Sequence, residues 1–431
     1  MTESYGQTDL LPIPPGLVLA PFRALRFDEA VAGPLTTLLC PPYDVIDDAG
    51  VVSYEQASTH NIVRVILPRG EESGPQSRYR HAAALLDEWR SAGVLRLDED
   101  PAVYVYEMRD GEHVLRGLVG AVALCDPEQG VILPHENVMT GPVSDRLRLT
   151  EATQANTEPI FLIYDGGGFA SAVVADIGGH PPLVDVTTQD GIAHRLWALT
   201  DPDLLAGIAG DLLTRQAVIA DGHHRYANFR QHQAARHAAG DGAGPWDFGL
   251  TLLVDASAFG PQVHAIHRVV ASLTVDEAVV RAATAFAVRP LSGDLDAALE
   301  TLAGAGKGGP AFLVSDGQRR WLLSDPDPSR LAEHVPADRT QAWQDLDVTV
   351  AHLLLIQQAW GVKDDEHTVG YRHSAVEAED AVAQGGTALL LNPTPVDALI
   401  AVATAGERMP RKSTFFTPKP RTGLVLRTFA V

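Results

Sequence analysis

The densest chemistry in the chain is Asp221-Gly222-His223-His224-Arg225, inside the run IADGHHRYANF at Ile219–Phe229. A short apolar stretch, Ala217–Ala220, stops at an Asp-Gly turn, and a helical stretch starts within a few residues. A helix N-terminus offers backbone N–H groups with no partner in the helix, and such groups bind phosphate oxygens. His223, His224 and Arg225 add donors and positive charge at the same turn. Asp221 can hold a metal or orient a histidine. An isolated Asp-Gly turn reads as a cap and nothing more. Five such residues between a strand and a helix read as a site.

Two weaker groups accompany it. His135-Glu136 ends an expected strand and is followed by Asp145-Arg146 and Asn156. Glu136 can act as a general base, which needs reach to a proton and a suitable pKa. The pair is not an H-E-x-x-H zinc motif, because position 139 is Met. Alone it reads as a solvated surface pair. The third group is Lys412-Ser413-Thr414, with Arg408, Arg411 and Lys419 nearby. A basic loop in an acidic chain suits an anion, but the upstream glycines of a Walker A loop are missing. Pro41-Pro42-Tyr43-Asp44, His264, His267-Arg268 and His373 each read as structural when taken singly.

Composition bounds the function classes. The chain has 431 residues, 33 Lys+Arg against 55 Asp+Glu and a net charge of −22, which disfavours nucleic acid or an anionic membrane as partner. Two cysteines, Cys40 and Cys125, are too few for a disulfide scaffold or a four-cysteine zinc site. No Gly-x-Gly-x-x-Gly follows a strand and no Gly-x-Ser-x-Gly elbow exists, which disfavours Rossmann dehydrogenases and α/β-hydrolases. The first ten residues are polar and no apolar run reaches 18, so the expectation is a soluble, cytoplasmic protein without a membrane span.

The elements that must position these residues read as mixed α and β. Residues 1–16 are expected as a Pro-punctuated arm. Strands are expected at Leu17–Arg26, Asn61–Leu67, Ala102–Met108, Val114–Leu124, Pro159–Tyr164, Ala217–Ala220 and Phe248–Asp255. Helices are expected at Tyr79–Ala92, at Ser144–Gln154 with Ser144 as N-cap, and at Tyr226–Ala239. The last third alternates again, with an apolar helix at Val348–Trp360, a strand at Ala388–Leu391 and a helix at Val396–Ala405.

In chain order, PFRALRF, PPYDVI, NIVRVILP, PHE…GPVSDRLRL…AN, PIF, IADGHHRY, HRVV and MPRKSTFFTPK…GL resemble family 1015 of the domains of unknown function, over nearly the whole chain. A more distant resemblance is to the free-serine kinases of the ParB/sulfiredoxin-like superfamily. These have an H-E pair ahead of a helix and an apolar strand, then a strand ending in D-G-x-x-R. The roughly 50-residue Gly/Pro-rich stretch before Asp221 is a departure from them. Sulfiredoxin chemistry is set aside, because no cysteine stands in the phosphate turn.

The resemblance implies an α+β, multi-domain mixed fold with a central ParB/sulfiredoxin-like segment. The expected division is 1–125, 126–270 with an insertion near 165–215, and 271–431. It implies an ATP- or ADP-dependent phosphotransferase acting on a small hydroxylated metabolite, free serine first, with Mg²⁺. Glu136, Asp221 and His223 would be catalytic, and Asp221 would also hold the metal. Gly222, His223, His224, Arg225, Lys412 and Ser413 would bind phosphate, and His135, Arg146 and Asn156 the substrate. A phosphatase on phosphoserine or a similar phosphomonoester, a non-catalytic nucleotide-binding regulator, and a homodimer all stay open.

Overall fold

The computed structural model describes residues 14–69, 77–365 and 367–429; most of the expected N-terminal arm lies outside the described residues. The chain divides into two compact units, Met1–Pro261 with Pro418–Val431, and Gln262–Thr417. The fold is α+β.

The first unit is built on nine strands: β1 (Leu19–Ala20), β2 (Val103–Asp110), β3 (His113–Ala123), β4 (Ile132–Leu133), β5 (Ile160–Tyr164), β6 (Val184–Thr187), β7 (Ala193–Leu199), β8 (Ala217–Asp221) and β9 (Phe248–Asp255). Their order is β4-β8-β5-β9-β3-β2-β7-β6, with β1 against β3. Only β4/β8 and β5/β9 run parallel; the other pairs are antiparallel. β5 (IFLIY) is buried at every position and sits between β8 and β9, where an unbroken apolar run belongs. Gly111, at φ 56, turns the β2–β3 hairpin as its Asp-Gly pair requires. Five helices serve the site or its sheet: α1 (Ser77–Ser91), α2 (Thr140–Thr153), α3 (Gly168–Asp176), α4 (Pro202–Leu212) and α5 (His223–Ala238). α5 packs on α2, and α2 on α1. One apolar cluster, including Val105, Leu118, Ile160, Leu162, Ile219 and Tyr226, ties α5 to the sheet.

Four expectations change. Asn61–Leu67 holds a short helix, Val63–Ile66, because the Asn61 side chain accepts the Val63 N–H at 2.9 Å and so closes a turn on a β-branched run. α2 starts before Ser144; its N-cap is Met139, which makes no side-chain cap. The stretch near 165–215 is no appendage, since β6 and β7 extend the sheet beyond β2. The boundary expected at 125/126 separates β3 from its partner β9, so a division there would cut a continuous sheet.

The second unit carries a six-stranded antiparallel sheet of β10 (His267–Val270), β11 (Ala287–Leu291), β12 (Phe312–Ser315), β13 (Arg320–Ser324), β14 (Gly370–Arg372) and β15 (Thr387–Leu391), in the order β11-β13-β12-β15-β10-β14. Its helices include α6 (Val275–Ala282), α7 (Leu295–Gly306), α8 (Asp347–Val350, continued by π-helical Ala351–Ala359), α9 (Ala375–Asp380) and α10 (Val396–Thr404). A separate core, with Val269, Leu302, Leu313, Leu322 and Leu390, fills this unit.

Candidate phosphate site in the first unit

β8 is buried through Ala220, and its register against β5 shifts between Ile219 and Asp221. Such a bulge bends a strand and re-aims the next side chain. Gly222 follows at φ 94, and a Cβ on it would stand 3.1 Å from Arg225 Nε. Glycine is therefore needed both for the left-handed backbone and for the close approach. Gly222 is also the N-cap of α5 and supplies no capping side chain. The first turn of this 16-residue helix opens at Gly222 with the partial positive charge of its N-terminus uncapped.

Four charges alternate around this turn. Arg225, 3% exposed, donates to the Pro159 carbonyl and to one Asp221 oxygen. Its Nε is buried and has no partner among the described residues. The other Asp221 oxygen accepts from Lys419 Nζ at 2.6 Å, and Lys419 stands 3.2 Å from Asp44. Burial alone would raise the Asp221 pKa, but Lys419 and Arg225 hold it well below the usual carboxylate range. Burial likewise opposes the charge of Lys419, and Asp221 and Asp44 overcome it, so its pKa is raised.

The next layer is also charged and buried. Glu158, 3% exposed, accepts the Tyr43 N–H at 2.9 Å and lies 3.6 Å from Arg146. Burial raises its pKa against the pull of Arg225 and Arg146. The Arg146 guanidinium stands 4.3 Å from the Tyr43 ring centroid and donates to the Ile66 carbonyl at 2.7 Å. Burial pushes the Tyr43 hydroxyl up to about 12.

Histidines and Glu136 line the other side of the turn. The buried His135 donates its backbone N–H to His223 Nε2 at 3.2 Å, and the two rings meet edge to face at 4.5 Å. With Nε2 accepting, the neutral His223 ring carries its proton on Nδ1. That Nδ1 lies 3.8 Å from Glu136 Oε2, and His135 Nε2 lies 3.9 Å from Glu136 Oε1. The Glu136 side chain is a third exposed. His224 Nε2 accepts the Met139 N–H at 3.1 Å.

The donors present do not suit a resident Mg²⁺. Asp221 meets a cation on each oxygen. His135, Glu136 and His223 bring donor atoms within 4.8 Å of one another, but two imidazoles and one carboxylate suit zinc or manganese better than magnesium, which favours oxygen.

The sequence matches a family model, "Protein of unknown function (DUF1015)", over residues 19–349. The chain belongs to that family. No curated protein matches it. Among solved structures this DUF1015 chain is similar to a free serine kinase in complex with AMP, at 15% identity over 68% of this chain and 88% of that one, TM-score 0.34. It is also similar to a conserved hypothetical protein from Pyrococcus furiosus (15% identity, 67% and 88% covered, TM-score 0.32) and to SbnI with a C-terminal truncation from Staphylococcus aureus (10%, 72% and 87%, TM-score 0.35). Among the described residues of the DUF1015 chain, no helix is long and apolar enough to cross a membrane.

Of the expected site residues, Glu136, His135 and His223 come together, as do Asp221, Gly222 and Arg225. Arg146 joins through Glu158 and Tyr43. Asn156 is buried, and its Oδ1 accepts from the Leu250 N–H at 3.1 Å and from Arg427 at 3.0 Å. Lys412 and Ser413 belong to the second unit. Lys412 is exposed, and its carbonyl accepts from Arg268 at 2.9 Å; the buried Ser413 donates to the Pro410 carbonyl.

The basic loop thus divides between the units at 417/418, and Lys419 is the residue of it that meets Asp221. A strap, residues 418–429, delivers that lysine. Thr422 bridges to Cys40, Leu426 to Leu25, and Arg427–Thr428 pairs with Ala155–Asn156. Asp44, read from sequence as structural, also joins the turn, and Glu158 is the member that sequence reasoning passes over. A Pro-flanked lysine in an acidic chain was the one signal available for Lys419.

Proposed function

We propose that the first unit is a nucleotide-dependent phosphotransferase acting on a small hydroxylated metabolite, with free serine as the first substrate to try. The observation that carries the reading is the α5 N-terminus: an uncapped glycine turn with a buried Arg225 Nε that has no partner among the described residues. An anionic phosphate oxygen at that turn would meet backbone N–H groups and a charge-assisted donor together. Lys419 and Arg225 neutralise Asp221, so its carboxylate does not repel the phosphate.

Phosphoryl transfer asks chiefly for positioning and charge neutralisation. Glu136, on the solvent-facing side of His223, is the group placed to take the acceptor's hydroxyl proton. His223, with its proton on Nδ1, faces that carboxylate at 3.8 Å. Magnesium enters this reading with the nucleotide, as part of the substrate.

The test is ³¹P NMR of purified protein with Mg-ATP or Mg-ADP and L-serine, then with pooled hydroxylated metabolites. A new phosphomonoester is the expected result. Nucleotide binding with no transfer to any acceptor would reduce the protein to a nucleotide-binding regulator, and loss of added phosphoserine would make it a phosphatase.

A further inference from the structure

The second unit contains a cavity of about 540 Å³ that the phosphate site does not use. It lies where α7 ends, where α8 begins and where the chain leaves β15 toward α10. The volume falls within the usual range for small-molecule sites, roughly 300–1,000 Å³. Its walls are mostly small and apolar, including Ala303, Ala342, Pro393 and Ala398.

Two walls carry opposite charges. Asp347, partly buried, has the Asn392 amide at 3.3 Å and the Ala311 backbone N–H as donors, and no cation in salt-bridge range among the described residues. Lys307, exposed at the end of α7, likewise has no ion-pair partner among the described residues. Burial pushes the Asp347 carboxyl up to about 6, only partly opposed by those two hydrogen bonds. The start of α8 favours a carboxylate there but supplies no counter-ion. Asp345, also at the cavity, is exposed and accepts from Gln341 at 2.7 Å.

A half-buried carboxylate without a counter-ion costs stability, and a cationic ligand would remove that cost. A ligand that supplied only a cation would leave Lys307 unmatched. We propose that this cavity binds an ammonium–carboxylate zwitterion of amino-acid or dipeptide size, its ammonium against Asp347 and its carboxylate toward Lys307. The wall of alanines and prolines would take the side chain. This is a second ligand site, and the argument for it is independent of the phosphate site in the first unit.

The test is calorimetric titration of the full chain at pH 7.5 with the twenty amino acids and a set of simple dipeptides, each at up to about 10 mM. At least one should bind. Its N-acetylated form, which lacks the ammonium, should bind at least about tenfold more weakly to the unaltered protein, as should the zwitterion itself to Asp347→Asn. Lys307→Gln should cost less, because Lys307 is exposed. Binding by no member of the panel would overturn the proposal, and so would equal affinity for the N-acetylated form. That second comparison needs no variant, so it stands even if Asp347→Asn fails to fold.

Discussion

Lys419→Met is the substitution that tests the charged turn most directly. It keeps the length and apolar stem of the lysine and removes one cation from between Asp221 at 2.6 Å and Asp44 at 3.2 Å. The lysine and Asp221 side chains are 13% and 15% exposed, so water compensates little. Removing one partner of a buried ion pair costs about 3–5 kcal/mol. Arg225 still holds Asp221 and Asp44 is 35% exposed, so the cost falls to the bottom of that range or just below it, about 2–3 kcal/mol of the first unit's stability. Urea unfolding of Lys419→Met, Asp221→Asn and the double variant gives the coupling energy, which should be about 1.5–3 kcal/mol. The same cycle with Asp44→Asn should give under about 1 kcal/mol. The pH dependence has a definite sign. Asp221's folded pKa lies below its unfolded value, so its stabilisation is present above pH ~4 and lost as pH falls through the lowered pKa. Without Lys419 that loss should begin at higher pH. A coupling energy within about 0.5 kcal/mol of zero, with an unchanged acid limb, would refute the view that the strap completes this site.

Four further outcomes are expected. Arg225→Ala, measured by titration with ATP and ADP, should weaken binding by about 1.5–3 kcal/mol, and unchanged affinity in a folded protein removes the turn from the site. Glu136→Gln should lower turnover on the true acceptor by roughly 10²–10⁴-fold with nucleotide affinity nearly intact; wild-type turnover would shift the base elsewhere. Asp347 carries a raised folded pKa, so its ionised form destabilises the second unit as pH rises from about 4 through about 6. Asp347→Asn should therefore stabilise by roughly 1–3 kcal/mol at pH 7.5, with the gain vanishing below pH ~4 in thermal scans. His194 is held neutral by burial, next to Arg421, with its pKa lowered to about 3. Its unfolded form takes up a proton below pH ~6.5, so stability should fall from there toward pH 3, and His194→Gln should flatten that slope in acid denaturation.

Local signals carried part of this structure and long-range pairing carried the rest. The Asp221-Gly222 turn was legible because an apolar run, a turn residue and a helical run are contiguous. Phe248–Asp255 and the Asp110-Gly111 hairpin were legible for the same reason. The β-branched residues of Asn61–Leu67 suggest a strand, whereas the Asn61 side chain decides the turn. The stretch near 165–215 looked like an insertion because its glycines and prolines mask two short strands. Their place at the sheet edge depends on β7 pairing with β2, about 90 residues earlier, and on β6 pairing with β7. Lys419 lies 198 residues from Asp221, a distance over which spacing gives no clue. Lys412 and Ser413 join Asp221 in the sequence reading on charge alone, and the chain passes from the second unit to the first between Ser413 and Lys419.

The strap also sets a schedule for making the protein. The first unit consists of residues on both sides of the second, so ribosomes must complete the whole second unit before Lys419 and the Arg427–Thr428 strand emerge. Until then Asp221 has Arg225 without its lysine, Asp44 lacks the same lysine, and Asn156 lacks Arg427. Any chain that terminates early, or is clipped by a protease before residue 418, carries every other residue of the phosphate turn in an incomplete setting. Domains generally fold as they are synthesised, N-terminal part first. Here residues translated after the second unit complete the unit begun before it, so the proposed activity would require the chain to be translated and kept intact past the second unit.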